Sequence, residues 1–283
     1  MYKENIYAVI VTYNPCIISL QNAIDSLQQQ CHVVIVDNSE NSFTGKKLVE
    51  GLSDKKCTVI VNSNNVGIAK AQNIGIIYAM QCNAIDILLL DDDSIPSSGL
   101  VENLITARLS KSSMSIITSR AVSIDGVELN NARILCKDIL TPCQYLNSSG
   151  SLIPVLAFKI IGLFDESLFI DCVDYEWGWR AQSKGYSLYI SRDAKIFHSL
   201  GESTRFKIKI PSPIRHYYQH RNILFLIFKV AHTPMYWRTI QPIKMIIKDI
   251  LILIIADQPV IRIKYMLFGI RDFLQGKYGR IET

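Results

Sequence analysis

Asp91, Asp92 and Asp93 follow directly on the apolar run ILLL at 87–90. Such a run reads as a buried strand, and three anions crowded at its end repel one another unless something positive sits among them. Carboxylates of this kind suit a hard divalent cation, Mg2+ or Mn2+, which leaves coordination positions for phosphate oxygens. The competing reading is an exposed acidic turn that caps the next helix. A second acidic pair, Asp174 and Glu176, lies in DCVDYEWGWR. Two apart on a helix, the pair diverges, so one of them faces a given site. A carboxylate beside Tyr175, Trp177 and Trp179 is partly desolvated, which raises its pKa toward general-base use; an acidic first turn favoured by the helix dipole is the plainer account. His198, at the end of a strand pattern, is either a neutral-imidazole metal ligand or an ordinary hydrogen-bonded residue.

These groups need a frame, and the first half of the chain alternates cleanly. IYAVIVTYN (6–14), CHVVIVDNSE (31–40), CTVIVNSNN (57–65) and AIDILLLDDD (84–93) read as strands; helical spacing follows the first at Ile17, Leu20, Ile24 and Leu27 and runs through GIAKAQNIGIIYAM (67–80). Strands and helices in turn mean βαβ units around a mostly parallel sheet, whose ligands collect outside the carboxyl ends of the strands. The polar residues stand at those ends: Thr12, Tyr13 and Asn14, then Asp37 and Asn38, then Asn62 to Asn65, then the three aspartates. Gly67, Ala69 and Ala71 allow a helix to approach a ligand or a strand closely, with N-terminal N–H groups open to an anion. Beyond this the pattern predicts a helix over 99–113, a hairpin around Asp125 and Gly126, and a small-residue turn with a short helix over 147–162. An acidic, aromatic helix and a strand ending at His198 follow. Residues 1–205 read as one domain and 206–283 as a helical, basic and apolar extension.

The charge is uneven: residues 205–283 hold 14 Lys plus Arg against 4 Asp plus Glu, whereas residues 1–204 carry a net −5. Apolar runs in that tail are broken by Lys244, Lys248 and Asp249, short of a spanning segment. A basic amphipathic surface on anionic lipid is favoured over a nucleic-acid face, and packing against a second subunit is the bland alternative. Seven scattered cysteines without a C-x-x-C pair argue against a disulfide framework or a thiolate zinc site, and the N-terminus shows no signal-peptide pattern, so a cytoplasmic setting is expected.

The order VIVTYN, VDNS, NNVGIAKAQNIG, LLLDDD, FIDCVDYEWGWRAQSKGY and IFH, with YYQHRNILF beyond, resembles the inverting glycosyltransferases of family 2 and among them the bacterial rhamnosyltransferases of surface-polysaccharide assembly. The resemblance covers roughly residues 5–225. It implies an α/β GT-A fold, with Thr12, Tyr13 and Asn14 around the nucleotide and Asp37 on its base. It further implies that Asn65, Gly67 and Asn73 line the nucleotide pocket and that Asp91 to Asp93 form the D-x-D element beside the sugar nucleotide. Asp91, Asp93 and His198 would hold Mn2+ or Mg2+, with Asp93 the more direct ligand. The base falls on Asp174, with Glu176 and Trp177 holding the acceptor or supporting the loop. Some relatives carry two adjacent acids where this chain has Val173 before Asp174. The implied donor is dTDP-L-rhamnose and the implied acceptor a polyprenyl-diphosphate-linked saccharide at the inner face of the cytoplasmic membrane, as in O-antigen assembly. UDP-galactose or UDP-galactofuranose as donor, and a non-catalytic sugar-nucleotide-binding subunit, are the alternatives. A nucleotidyltransferase fits less well, since PCIISLQN after the first strand has no Gly, Lys or Arg.

Overall fold

The computed structural model describes residues 5–40, 42–123, 138–198 and 211–282. Strands β1 (Ile6–Thr12), β2 (His32–Asp37), β3 (Cys57–Val61) and β4 (Asp86–Asp91) lie side by side in the order β3-β2-β1-β4, all parallel. Their near-continuous Val, Ile and Leu content is what burial on both faces requires. Helix α1 (Ile17–Leu27) covers one face through Leu20, Ile24 and Leu27, beside Ile10, Ile35 and Leu90. On the other face α3 (Ile68–Gln81) lays Ala69, Ala71 and Gly75 against the sheet. A Cβ on Gly75 would stand 2.4 Å from the Val9 side chain, so the small residues of this helix serve close packing. Helix α2 (Ser42–Gly51) completes the βαβ series.

Register decides what meets at the carboxyl edge. Thr12 pairs with Asp37, and Val11 pairs with Asp91. The chain leaves β1 toward β2 and β3 and returns to β4 on the opposite side, so the strand order reverses between β1 and β4, the place where open α/β sheets bind ligands.

The second half widens the sheet. β8 (Ser151–Pro154) runs antiparallel to β4 and to β6 (Ser115–Ser123), β6 runs parallel to β9 (Ser187–His198), and β5 (Ser94–Pro96) and β7 (Leu140–Pro142) pair antiparallel with β9. The sheet is thus mixed, with a parallel nucleus. Helices α4 (Leu100–Leu109), α5 (Val155–Ile161) and α6 (Val173–Ser183) belong to this half. The sequence reading missed β8, because SLIP runs without a break into the apolar helix VLAFKII and four residues carry no periodicity of their own. The expected hairpin turn at Asp125–Gly126 lies outside the described residues. The helix expected over 99–113 ends at Leu109.

Three helices follow: α7 (Pro213–Phe228), α8 (Met235–Ile255) and α9 (Pro259–Leu274). Among the described residues no helix is long and apolar enough to cross a membrane. The six described cysteines are free.

Candidate active site

A cleft of about 800 Å3 opens at the carboxyl edge of β1 and β4, a size suited to a small-molecule ligand. Tyr13 bridges the reversal point, its backbone N–H donating to Asp92 Oδ2 at 3.1 Å. Asp92 is held by that bond, and burial pushes its pKa above the ordinary carboxylate value, with the Asp93 charge adding to the rise. Asp91 and Asp93 line the cleft beside it.

On the β1–β2 side, Asp37 is fully buried. Its Oδ1 accepts from the Thr12 hydroxyl at 3.1 Å and the Ser39 hydroxyl at 2.7 Å, while Oδ2 has no protein donor. That lack of a donor holds among the described residues; Asp37 itself lies behind the cleft lining, with Oδ2 toward Gly45 of α2. Asn38 and Asn65 tie the neighbouring loop: the Asn38 amide donates to Asn65 Oδ1 at 2.9 Å, and that oxygen also accepts from Gly67 N–H at 2.9 Å. Gly67 has φ +88° and faces the Phe169 ring and carbonyl, a position a Cβ would fill. The N-terminus of α3 is not open to an anion, because the Phe169 carbonyl accepts from Ile68 N–H at 2.7 Å. Phe169 reaches it from a left-handed backbone, φ +63°.

The opposite wall is the segment 169–175. Phe169, Asp171 and Cys172 all have positive φ, at 63°, 65° and 67°, an accumulation of strain that persists only where the surroundings fix it. The fixing groups come from α7. The fully buried Asn222 amide donates to the carbonyls of Leu168, Ile170 and Asp171 at 2.9, 2.8 and 3.0 Å. Arg221, equally buried, donates to Leu168 O at 3.0 Å and Gly279 O at 2.6 Å. Asp174 follows this segment in the first turn of α6, facing the cleft. Burial pushes its pKa up to about 7, and the charges of Asp91 and Asp171 add to the rise. Arg215 lines the same wall, its guanidinium on Asp171 at 2.9 Å. Arg280, from beyond α9, reaches Glu40 at 2.9 Å across the cleft rim.

Several residues expected at the site stand elsewhere. Asn73 is buried away from the cleft, exchanging hydrogen bonds with the Phe164 backbone and donating to Glu166 Oε1, all at 3.0 Å; it fastens α3 to the segment before the catalytic wall. Glu176 points inward to Arg180 at 2.8 Å and His232 at 3.0 Å, which hold its pKa low despite burial. Trp177 is core, donating to Gly162 O at 2.8 Å. For these two the burial and the partners fit a supporting role: Glu176, two residues on from Asp174, is turned about 200° round the helix toward Arg180 and His232, while Trp177 is fixed in the core by its bond to Gly162. Asn14 lies outside the lining and donates its backbone N–H to Ser39 Oγ at 2.8 Å. The backbone of His198 pairs with Ser94, next to Asp93 in the chain; its side chain lies outside the described residues.

The described lining carries six carboxylates, Glu40, Asp91, Asp92, Asp93, Asp171 and Asp174, against the guanidinium groups of Arg215 and Arg280. An excess of hard oxygen anions of this kind fits a divalent cation. Among the described residues, the group of His and carboxylate atoms that already converges lies elsewhere: His216, His220 and Asp249. There the Arg262 guanidinium donates to His216 Nε2 at 3.1 Å, and burial and the Arg262 charge lower the His216 pKa to about 4. A cation already occupies that corner, so it reads as a packing network.

The fold is that of the GT-A glycosyltransferases, as likeness to solved structures shows. The chain superposes on Staphylococcus aureus TarS 1–349 in complex with UDP-GlcNAc at TM-score 0.62 and 16% identity, covering 95% of this chain and 80% of that one. The mannosyltransferase PcManGT from Pyrobaculum calidifontis, in complex with GDP-Man and Mn2+, gives 0.59 and 11%, covering 96% and 88%. GalNAc-T7 with UDP, GalNAc and Mn2+ gives 0.62 and 16% over 95% of this chain, which spans 56% of that longer protein. Residues 7–157 match the sequence profile of glycosyl transferase family 2. The chain belongs to that family and is a glycosyltransferase. It is 34% identical to the dTDP-rhamnosyl transferase RfbF of Shigella flexneri over 98% of each chain.

The sequence reading missed Arg215, Arg280, Asn222 and the 169–172 backbone. YYQHRNILF carried the signal for Asn222, but nothing in one sequence says that a polar pair on an apolar helix grips a distant loop.

Proposed function

We propose that the protein is an inverting, metal-dependent rhamnosyltransferase that moves L-rhamnose from dTDP-L-rhamnose to a lipid-linked saccharide in surface-polysaccharide assembly, at the inner face of the cytoplasmic membrane. The observation that carries the chemistry is Asp174, held near pKa 7 in the cleft that contains Asp91 to Asp93. The choice of donor rests on the likeness to the Shigella protein along the whole chain.

In this reading Asp37 lies on the side of the base, and Thr12, Asn38, Asn65 and Gly67 shape the nucleoside end. Asp91 and Asp93, with His198, would hold Mn2+ or Mg2+, which would supply positive charge for a leaving diphosphate. Arg215 and Arg280 supply further positive charge at the same end of the cleft. Asp174 takes the proton of an acceptor hydroxyl as its oxygen forms a bond to the anomeric carbon; the anomeric C–O bond breaks and its electron pair leaves on the diphosphate. A single displacement inverts the centre, so a β-linked donor gives an α-linked product.

The test is donor binding and turnover across dTDP-, UDP- and GDP-sugars with Mn2+, Mg2+ or EDTA, using wild type, Asp93→Ala and Asp174→Asn. The reading requires preference for dTDP-L-rhamnose, loss of metal dependence in the first variant, and retained donor binding without transfer in the second. Absence of metal-dependent sugar-nucleotide binding in the wild type would sink it.

A further inference from the structure

The outward sides of α8 and α9 are unlike the rest of the surface. On α8, Ile240, Ile243, Ile247, Ile250 and Ile254 recur at helical spacing and are all exposed, Ile254 by 74%. Lys244 and Lys248 run along one flank of this stripe and are exposed too. On α9 the outward face interleaves Val260, Leu267 and Leu274 with Lys264 and Arg271. Exposed apolar stripes on two successive helices mark a contact with something else.

We propose that this face docks on an anionic lipid bilayer, lying along its surface. Charge selects the occupant. The carboxylates of these helices and of the turn between them are already engaged: Asp249 with His220 at 2.9 Å, Asp272 with Tyr217 and Arg271 at 2.9 and 2.7 Å, and Asp257 with Arg262 at 2.7 Å. Arg271 and Arg262 balance Asp272 and Asp257, and among the described residues Lys244, Lys248 and Lys264 outnumber the one remaining carboxylate, Asp249, so the face is net positive. A second copy applied through the same face would bring more of the same net sign, whereas anionic headgroups complement it. Basic residues flanking an apolar stripe are the pattern of helices that lie in a membrane interface, and neither helix is fit to span one.

Position relative to the cleft gives the docking a use. Arg262, near the start of α9, donates to Pro211 O at 2.6 Å and to His216, so the α8–α9 turn sits beside the end of α7 whose Ser212, Ile214 and Arg215 line the cleft. The exposed Ile254 and Val260 flank that turn, so a bilayer on this face would lie close to the cleft rim. The purpose of the docking rests on the lipid-linked acceptor proposed above, but the docking itself is measured without any substrate.

The experiment is co-sedimentation of the full chain with vesicles of phosphatidylcholine, with and without phosphatidylglycerol, alongside light-scattering mass measurement. Variants are Ile247→Glu/Ile250→Glu and Lys244→Gln/Lys248→Gln, all at exposed positions whose change leaves the core intact. Binding to the anionic vesicles is expected, weakened by salt, lost in the glutamate variant and reduced about 30-fold in the glutamine variant, from roughly 1 kcal/mol per cation near such a surface. Donor hydrolysis in free solution should be equal in all three proteins, which separates failure here from failure of the rhamnosyltransferase reading. No binding to anionic vesicles, equal binding to neutral ones, or a dimer that the glutamate variant dissociates would overturn the proposal.

Discussion

Asp174 ties the geometry to a number. Burial pushes its pKa from the ordinary 3.8 to about 7, with Asp91 and Asp171 adding to the rise. A general base must be ionised to act, so the rate falls as pH drops below 7. At pH 5.5 a group of pKa 7 is about 3% ionised, and transfer should run roughly 30-fold below its alkaline plateau; with an ordinary carboxylate it would be almost unchanged. The same shift has an opposite sign in stability. The folded state holds this proton more tightly than the unfolded chain between about pH 4 and pH 7, so the contribution of Asp174 worsens as pH rises through that window and is constant above it. The full shift corresponds to about 4 kcal/mol, and because the carboxylate stands at a cleft partly open to water, about 1–3 kcal/mol is the usable figure. Asp174→Asn should therefore abolish most transfer, by roughly 100-fold or more, while raising the melting temperature at pH 8 in EDTA. The assays are nucleoside diphosphate release from pH 5 to 9 at saturating metal, and thermal unfolding at pH 4 and pH 8. A flat pH–rate profile, or a variant less stable than wild type at pH 8, would refute the assignment of Asp174 as a desolvated base.

Other substitutions separate scaffold from site. Gly67→Ala forces a Cβ to within 2.6 Å of the Phe169 ring at a backbone angle only glycine tolerates, so a stability loss of about 1–3 kcal/mol and a raised donor KM are expected in melts and initial-rate titrations. Glu176→Gln leaves Arg180 without its carboxylate and should cost about 2–4 kcal/mol of stability with acceptor KM unchanged; an altered acceptor KM would return Glu176 to the binding site. Asn222→Ala removes the amide that holds the carbonyls of Leu168, Ile170 and Asp171, so kcat should fall and the acid limb of the pH–rate profile should move, with donor affinity retained in equilibrium binding.

The parallel nucleus was legible because each of its strands is a β-branched run long enough to read, and the polar residues sit where the runs stop. Asp91 to Asp93 and Asp174, which line one cleft, stand out as acids at a strand end and among aromatic residues, though each also has a plain reading as an acidic turn at a helix start. In the mixed half the long strands β6 and β9 were legible, but β5, β7 and β8 were not, since they have three or four residues each and their pairing partners are distant in sequence. Asn73 and Glu176 illustrate the limit on the site. A polar residue on the inner side of a helix can face a ligand or fasten a loop, and only the position of the 162–166 segment and of His232 decides for the loop and for the ion pair.

The C-terminal helices are tied to the cleft wall that carries Asp174. That wall's backbone occupies left-handed conformations at Phe169, Asp171 and Cys172, and it relaxes unless it is gripped. Two adjacent side chains of α7 do the gripping, and Arg221 is in turn anchored on Gly279 beyond α9. Gly269 lets α9 press on the same turn of α7, where a Cβ would meet Tyr217 O at 2.4 Å. Contacts thus run without a break from α9 through α7 to the loop before Asp174. A core with these helices removed is expected to keep its sheet edge and aspartate cluster but to lose the geometry around Asp174.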